Sequence, residues 1–189
     1  EIALVATRMS IVFITAATGL ALVLPDVLRL VSRNVEYHAG ASIVPVMVLA
    51  YLFQGFFLLA SVGISIAKEA RYYPMITAAA AALNIGLNLW LIPHYGILAS
   101  AWATVAGYAL MALMGASISR KLYPIPIQWT RVFGAFLAGI LFFFLGTRFD
   151  PGPTAAVARV GIALAFTFFV WRRVLDETDR VELGKVVGR

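Results

Sequence analysis

Long apolar runs separated by short polar connections make up most of the chain. The pattern predicts six helical segments, because a helix needs about 20 apolar residues to cross the hydrocarbon core of a bilayer. We label them A to F: Thr7–Leu24, Ile43–Ala67, Pro74–Ile92, Ile97–Ser119, Val132–Gly146 and Thr154–Trp171. The predicted fold is therefore all-α, an integral membrane bundle of six transmembrane helices with short loops.

Proline and glycine set the predicted ends of these segments. Pro25 closes segment A and Pro93 closes segment C, since proline lacks the backbone N–H that a helix interior requires. Gly96 follows and can adopt the positive φ that reverses the chain direction. Segments C and D are therefore expected to form a tight helical hairpin through the turn Pro-His-Tyr-Gly.

The composition excludes an ordinary soluble domain. Of the 189 residues, 62% are hydrophobic and 13% are charged, and the mean hydropathy is +0.91, whereas soluble domains are about half apolar and about a quarter charged. The absence of cysteine excludes disulfides and cysteine-ligated metals. We predict no cofactor, no metal site and no enzymatic activity. The chain starts at Glu1 without a basic targeting region, and is expected to be part of a longer protein.

The net charge of +6 does not indicate a nucleic-acid partner, because the basic residues lie at the ends of apolar runs and not along one stripe. Six crossings with short loops must alternate between the two sides of the membrane. Counted in this way, 11 Lys and Arg residues lie on the side of the chain termini and 4 on the other side. The positive-inside rule then puts both termini in the cytoplasm and the Pro-His-Tyr-Gly turn outside.

Two asparagines, Asn84 and Asn88, interrupt segment C one helical turn apart. A carboxamide that faces lipid has unpaired donors and acceptors, so both side chains are expected to point into the bundle, on a face shared with Thr77 and Ala81. Segment D offers a matching surface of small and polar residues, at which helix backbones can approach closely in lipid. Its members are Ala99, Ser100, Ala103, Thr104 and Gly107.

The same stretch resembles a segment of polysaccharide transporters. Asn84-x-x-x-Asn88-x-x-Leu91-Ile92-Pro93-x-Tyr95-Gly96-Ile97, followed by Ala99-Ser100-Ala101-x-Ala103-Thr104 and Tyr108, is similar to N-x-x-L-N-x-x-L-I-P-x-Y-G-I-x-G-A-A-x-A-T. That pattern belongs to lipid-linked oligosaccharide flippases of the multidrug/oligosaccharidyl-lipid/polysaccharide exporter superfamily. The resemblance extends from Leu22 to about the end of segment D. It departs from the pattern where Ala99-Ser100 replaces the usual Gly-Ala pair.

The resemblance implies an organisation and a function. Segments A to F would be the ninth to fourteenth helices of a fourteen-helix transporter. Residues 1–119, segments A to D, would belong to its carboxy-terminal lobe, residues 120–175 would hold two accessory helices, and residues 176–189 would form a cytoplasmic tail. Family members flip a polyprenyl-pyrophosphate-linked oligosaccharide across the bacterial inner membrane by alternating access. The implied partners are this lipid-linked oligosaccharide, membrane lipids and the missing amino-terminal half of the chain.

Four polar residues are candidates for the substrate path: Asn84, Asn88, Gln54 and Arg8. For the two asparagines and for Gln54, hydrogen bonding within the lobe is the alternative role. Arg8 lies near the predicted cytoplasmic start of segment A. There it either extends to the lipid headgroups or holds the pyrophosphate through bidentate contacts, to which its planar guanidinium is suited.

Other charged residues are interpreted as surface groups. Asp26 is expected to form a solvated pair with Arg29, one helical turn away, and Arg159 is expected to anchor segment F at the outer membrane surface. No acidic residue then lies clearly in the middle of a helix, as the buried carboxylate of a cation-coupled multidrug antiporter would. This class nevertheless stays open.

A membrane-embedded glycan enzyme, such as a polymerase, ligase or acyltransferase, is the other open class. His38 and His94 both fall in predicted outer loops and could serve as acid–base groups. The signal is weak, because only Glu36 stands near either histidine as a partner carboxylate and no nucleophile motif is present.

Overall fold

The structure, a computed structural model, describes residues 2–31, 43–124, 127–149 and 153–174. These residues form seven α-helices and one π-helical turn, and they include no strand. Six spans within them are long and apolar enough to cross a membrane, which confirms the predicted all-α bundle. The elements are α1 (Ile2–Val31), α2 (Val44–Ala60), α3 (Val62–Ile66), α4 (Tyr72–Tyr95), α5 (Ile97–Leu122), α6 (Trp129–Thr147), α7 (Pro153–Phe169) and the π-helical turn Val170–Val174.

Two helices continue through the prolines that were predicted to end them. α1 runs through Pro25 to Val31, and α4 runs through Pro93 to Tyr95, so the predicted ends at Leu24 and Ile92 are wrong. A proline near the end of a helix removes one backbone hydrogen bond. In a bilayer every other backbone group still needs an internal partner, which favours continued helix over irregular chain. α4 ends at Gly96, where φ is +68°.

The second span, Val44–Ile66, is interrupted at Ser61, between α2 and α3. The Ser61 hydroxyl donates to the Leu58 carbonyl at 2.8 Å, and the Tyr73 hydroxyl from α4 donates to the Ser61 carbonyl at 3.1 Å. The same tyrosine oxygen lies 2.7 Å from Ser65 Oγ, beyond the interruption. A serine that bonds to the preceding turn, or a side chain that inserts among helix carbonyls, distorts a helix. Both occur here, so the predicted single segment from Ile43 to Ala67 is two helices.

The helices group into two compact units. Unit 1 comprises residues 1–30 and 127–189 and contains α1, α6 and α7; unit 2 comprises residues 31–126 and contains α2 to α5. α1 therefore groups with α6 and α7, whereas the resemblance grouped segment A with segments B to D. The predicted tail at residues 176–189 lies outside the described residues.

In unit 2, α5 packs against α2 and α4. α2 and α5 run parallel, since Phe57 meets Gly115 and Gly63 meets Ser119. At Gly63 the helices are so close that an added Cβ would overlap the Ser119 side chain. α4 and α5 run antiparallel through the turn at Gly96. The buried cluster between these helices consists of Phe57, Ile64, Ile76, Ala80 and Met111.

In unit 1, α1 and α6 run parallel. Near their amino-terminal ends the Gln128 backbone N–H donates to Thr7 Oγ1 at 3.2 Å, and near their carboxy-terminal ends Gly146 meets Leu22. α1 and α6 are the first and fifth spans, and the parallel helices of unit 2 belong to the second and fourth spans. Alternating crossings require each of these pairs to be parallel, so both units agree with six consecutive crossings.

Candidate functional site

The two asparagines of α4 lie at its contact with α5. Asn88 Nδ2 donates to Asn84 Oδ1 at 3.0 Å, and Asn84 Nδ2 lies 3.5 Å from Thr104 Oγ1, at the long limit of a hydrogen bond. The Thr104 hydroxyl donates to the Ser100 carbonyl at 2.9 Å. These four residues form a chain of hydrogen bonds that crosses from α4 to α5, which we call the amide chain.

Small residues on α5 make room for the amide chain. Ala99 and Ala103 are 5% and 0% exposed. A Cβ added to Gly107 would lie 3.4 Å from the Ala80 carbonyl oxygen and 3.5 Å from Asn84 Cβ, so the backbones are in close contact there. Close contact brings the short threonine hydroxyl within reach of the Asn84 amide.

The face of α4 that carries the asparagines differs in part from the predicted one. Thr77 and Ala81, expected beside Asn84 and Asn88, are exposed. The buried positions in the first half of α4 are instead Ile76 and Ala80. The predicted face assumed straight helices in register along their full length. In the structure the contact stripe shifts around α4 along its length, as it does when packed helices cross at an angle.

The amide chain has an open end at Asn88. Asn88 Oδ1 is shielded from solvent, and none of the described residues donates a hydrogen bond to it. The oxygen and nitrogen positions of an amide are assigned from its hydrogen bonds. Exchanging them in both asparagines would leave the Asn88 nitrogen, in place of the oxygen, without a partner. A shielded carboxamide oxygen that accepts no hydrogen bond is costly in an apolar setting. A water or a ligand hydroxyl at this position would complete the chain.

The other two substrate-path candidates lie apart from the amide chain. Gln54 is half-buried in α2, which also packs on α5, but among the described residues no hydrogen bond joins it to either asparagine. Tyr51, one turn earlier, has its ring 6.2 Å from that of Tyr108 on α5. Arg8 is half-buried in α1 and belongs to unit 1. The structure therefore brings together Asn84 and Asn88, and not all four candidates.

A second polar cluster, in unit 1, was missed by the sequence analysis. Arg159 of α7 is 9% exposed and donates to three oxygens. Nη1 lies 2.5 Å from Asp26 Oδ1, Nε lies 3.1 Å from the Gly146 carbonyl and Nη2 lies 2.9 Å from the Phe149 carbonyl. We call these residues the Arg159 cluster. It joins α1, the end of α6 and α7.

The expected roles of Asp26 and Arg159 are therefore wrong. Asp26 pairs with Arg159 and not with Arg29, and the two paired side chains are only 12% and 11% exposed. A guanidinium this far inside a span must find an acid or carbonyl partner within the protein, because lipid offers none. The signal was present in the sequence: Arg159 stands more than one helical turn inside segment F, which begins at Thr154.

The charges of the Arg159 cluster indicate a structural role, the joining of three helices, and not a ligand-binding site. Arg159 compensates the charge of Asp26 and donates to the Gly146 carbonyl, at the negative end of the α6 dipole, and to the Phe149 carbonyl just beyond that helix. Asp26 Oδ2 is shielded, and none of the described residues donates to it. Because a cation there would compete with Arg159, the cluster is suited to holding three helices together.

His94, one of the two histidines considered as acid–base groups of an enzyme, is hydrogen-bonded to its own helix. His94 is exposed, and its Nδ1 lies 2.8 Å from the Trp90 carbonyl. Since a carbonyl only accepts, Nδ1 donates this hydrogen bond. His38 lies outside the described residues. No group of three or more potential metal ligands occurs among the residues that the structure describes.

Comparison with known proteins gives no match: no family model, no curated protein and no solved structure is significantly similar to this chain. The basis for a function is therefore the motif between Asn84 and Tyr108 and the chemistry of the amide chain.

Proposed function

We propose that this chain is the carboxy-terminal part of a transporter that moves a polyprenyl-pyrophosphate-linked oligosaccharide across the bacterial cytoplasmic membrane. Transport occurs by alternating access, and no covalent bond is made or broken. One observation carries the proposal: the motif from Asn84 to Tyr108 resembles that of oligosaccharide flippases, and its asparagines meet α5 through the amide chain. The multi-pass bundle of six apolar spans supplies the frame.

The chemistry of Asn88 suits an oligosaccharide. A carboxamide can donate and accept at once, as sugar hydroxyls do, and it carries no charge that would hold a cargo too tightly for release. Hydrogen bonds between polar side chains in membrane proteins contribute only about 0.6 kcal/mol each. Several such weak contacts along a path allow binding in one conformation and release in the other.

The test uses the full-length protein in proteoliposomes with a fluorescent lipid-linked oligosaccharide, whose arrival in the opposite leaflet is measured by quenching. We expect Asn88→Ala to slow transport severalfold while the thermal unfolding temperature stays close to that of the wild type. Thr77→Ala is the matched control, because Thr77 is a polar residue of the same helix but is exposed. Normal transport by Asn88→Ala, or no transport by the unaltered full-length protein, would rule the proposal out.

A cation-coupled multidrug antiporter is the second candidate, favoured by one observation. Asp26 is a largely buried carboxylate inside α1, and none of the described residues donates a hydrogen bond to its Oδ2. Against this, Arg159 already compensates its charge. Dye efflux driven by a sodium or proton gradient, without movement of the lipid-linked oligosaccharide, would favour the antiporter.

A further inference from the structure

Four basic residues lie at one end of unit 2. Lys68 and Arg71 stand between α3 and α4, and Arg120 and Lys121 stand in the last turn of α5; all four are exposed. The two segments are held at the same end of the unit, because Gly63 of α3 meets Ser119 of α5. Tyr72 and Leu122, the neighbours of Arg71 and Lys121, also pack against one buried cluster. We call these four residues the basic end.

Two residues of the basic end, Lys68 and Arg71, have a defined local geometry. Lys68 has a φ of +57°, a left-handed conformation that ends α3 and starts the turn toward α4. Arg71 Nε lies 2.7 Å from Glu69 Oε2, and its guanidinium lies 5.2 Å from the centre of the Tyr72 ring. The Arg71 side chain nevertheless stays 73% exposed. Its orientation is therefore set in advance while its charge faces outward.

We propose that the basic end binds the phosphate of an anionic phospholipid headgroup. Its residues stand where two membrane spans end, which is the depth of lipid phosphates. The charge is complementary, since four cations face one acid, Glu69, among the described residues of this end. Two exposed apolar side chains next to it, Ile66 at 41% and Tyr123 at 42%, can contact the glycerol and upper acyl region of the same lipid.

A guanidinium and nearby ammonium groups are the usual partners of a phosphate diester. Arginine presents a planar set of donors to phosphate oxygens, whereas lysine acts as a point charge. Basic clusters next to transmembrane helices attract anionic lipids, and each charge strengthens binding by about fivefold. The inference makes no assumption about the transported cargo, so it stands or falls independently of the proposed function.

The test is native mass spectrometry of the purified chain in detergent, with dioleoyl phosphatidylglycerol or dioleoyl phosphatidylcholine added. We expect preferential retention of phosphatidylglycerol. The double variant Arg120→Gln/Lys121→Gln should bind it roughly 25-fold more weakly. The matched control, Arg29→Gln/Arg148→Gln, removes two charges from the carboxy-terminal ends of α1 and α6, which belong to unit 1, and should bind as the wild type does. Elution volume and thermal stability in phosphatidylcholine establish that both variants are folded.

Three results would overturn the proposal. The first is equal retention of the two lipids by the wild type. The second is an equal loss of phosphatidylglycerol in both double variants, which would show a response to net charge and not to the basic end. The third is displacement of the lipid by inorganic phosphate at the same concentration, which would identify a soluble anion as the ligand.

Discussion

Arg159 of α7 donates a hydrogen bond to Asp26 of α1 across 133 positions of sequence. Both charges are buried, and the guanidinium also bonds to two carbonyls at the end of α6. The contact therefore fixes the relative positions of three helices in unit 1. Charged groups in such a setting are stabilised only while their partners stay in place.

Removing one partner of this pair should destabilise the protein strongly. We expect Arg159→Met to lower the free energy of unfolding by about 3–5 kcal/mol, because it leaves Asp26 buried and uncompensated. Asp26→Leu should cost somewhat less, since Arg159 keeps its bonds to Gly146 and Phe149. The double variant should be less damaging than the sum of the two, because it leaves no unpaired charge. Denaturant unfolding in mixed micelles measures all three.

Arg29→Gln is the control for the ion-pair prediction. Arg29 is the residue that lies near Asp26 in sequence, but the structure pairs Asp26 with Arg159. We expect Arg29→Gln to change the unfolding free energy by less than about 0.5 kcal/mol. If Arg29→Gln were as damaging as Arg159→Met, the pairing described for unit 1 would be incorrect.

The amide chain predicts which substitutions of its polar residues lower the stability of the protein most. Asn84 bonds on both sides, to Asn88 and to Thr104, so Asn84→Ala should be more destabilising than Asn88→Ala. In double-mutant cycles we expect a coupling of about 0.6 kcal/mol between Asn84 and Asn88. The coupling between Asn84 and Thr104, tested with Thr104→Val, should be weaker because that contact is longer. The reverse order would argue against the chain as described.

Gly63 should tolerate no side chain. In Gly63→Ala the new Cβ would overlap Ser119 and lie 3.0 Å from the Tyr123 carbonyl oxygen, which cannot rotate away. Overpacking of this kind typically costs about 1–3 kcal/mol. Gly86→Ala is the matched control, because nothing lies within 4 Å of that Cβ position. It should leave stability unchanged or raise it by up to about 1 kcal/mol, given the higher helix propensity of alanine. Thermal unfolding temperatures compare the two variants.

Substitution of the two histidines, His38 and His94, distinguishes a transporter from an enzyme. The double variant His38→Ala/His94→Ala should keep the transport activity of the full-length protein, because a flippase forms no covalent intermediate and needs no acid–base group. A glycan polymerase, ligase or acyltransferase that used these imidazoles would lose activity by a factor of about 100 or more. Transport in proteoliposomes and glycan chain length in cells are the two measurements.

The number and position of the spans were predictable from the sequence. An apolar run of about 20 residues has few possible structures other than a helix in a bilayer, because its backbone groups must form hydrogen bonds within the protein. The ends were less predictable. Pro25 and Pro93 stop helices in water more readily than in lipid, and α1 and α4 run past them. The interruption at Ser61 is accompanied by a hydrogen bond from the Tyr73 hydroxyl of another helix, which the sequence around Ser61 alone does not show.

The candidate sites were predictable only where they are local. The asparagines and the small residues of α5 lie on consecutive helices of one hairpin, so their spacing predicted that they face each other. The pair of Asp26 with Arg159 depends on the parallel packing of α1 with α6 and on the return of α7, which spacing along the chain does not encode. An arginine inside a predicted span is nevertheless a reason to look for a distant acid.

The alternating path of the six spans is tested most directly by cysteine labelling, since these 189 residues contain no cysteine. Single variants His94→Cys and Lys121→Cys place one thiol in the last turn of α4, beside the start of α5, and one in the last turn of α5. In intact cells an impermeant maleimide should label His94→Cys and should reach Lys121→Cys only after permeabilisation. Labelling of both positions from the same side of the membrane would contradict the crossing of α5 and, with it, the alternating path.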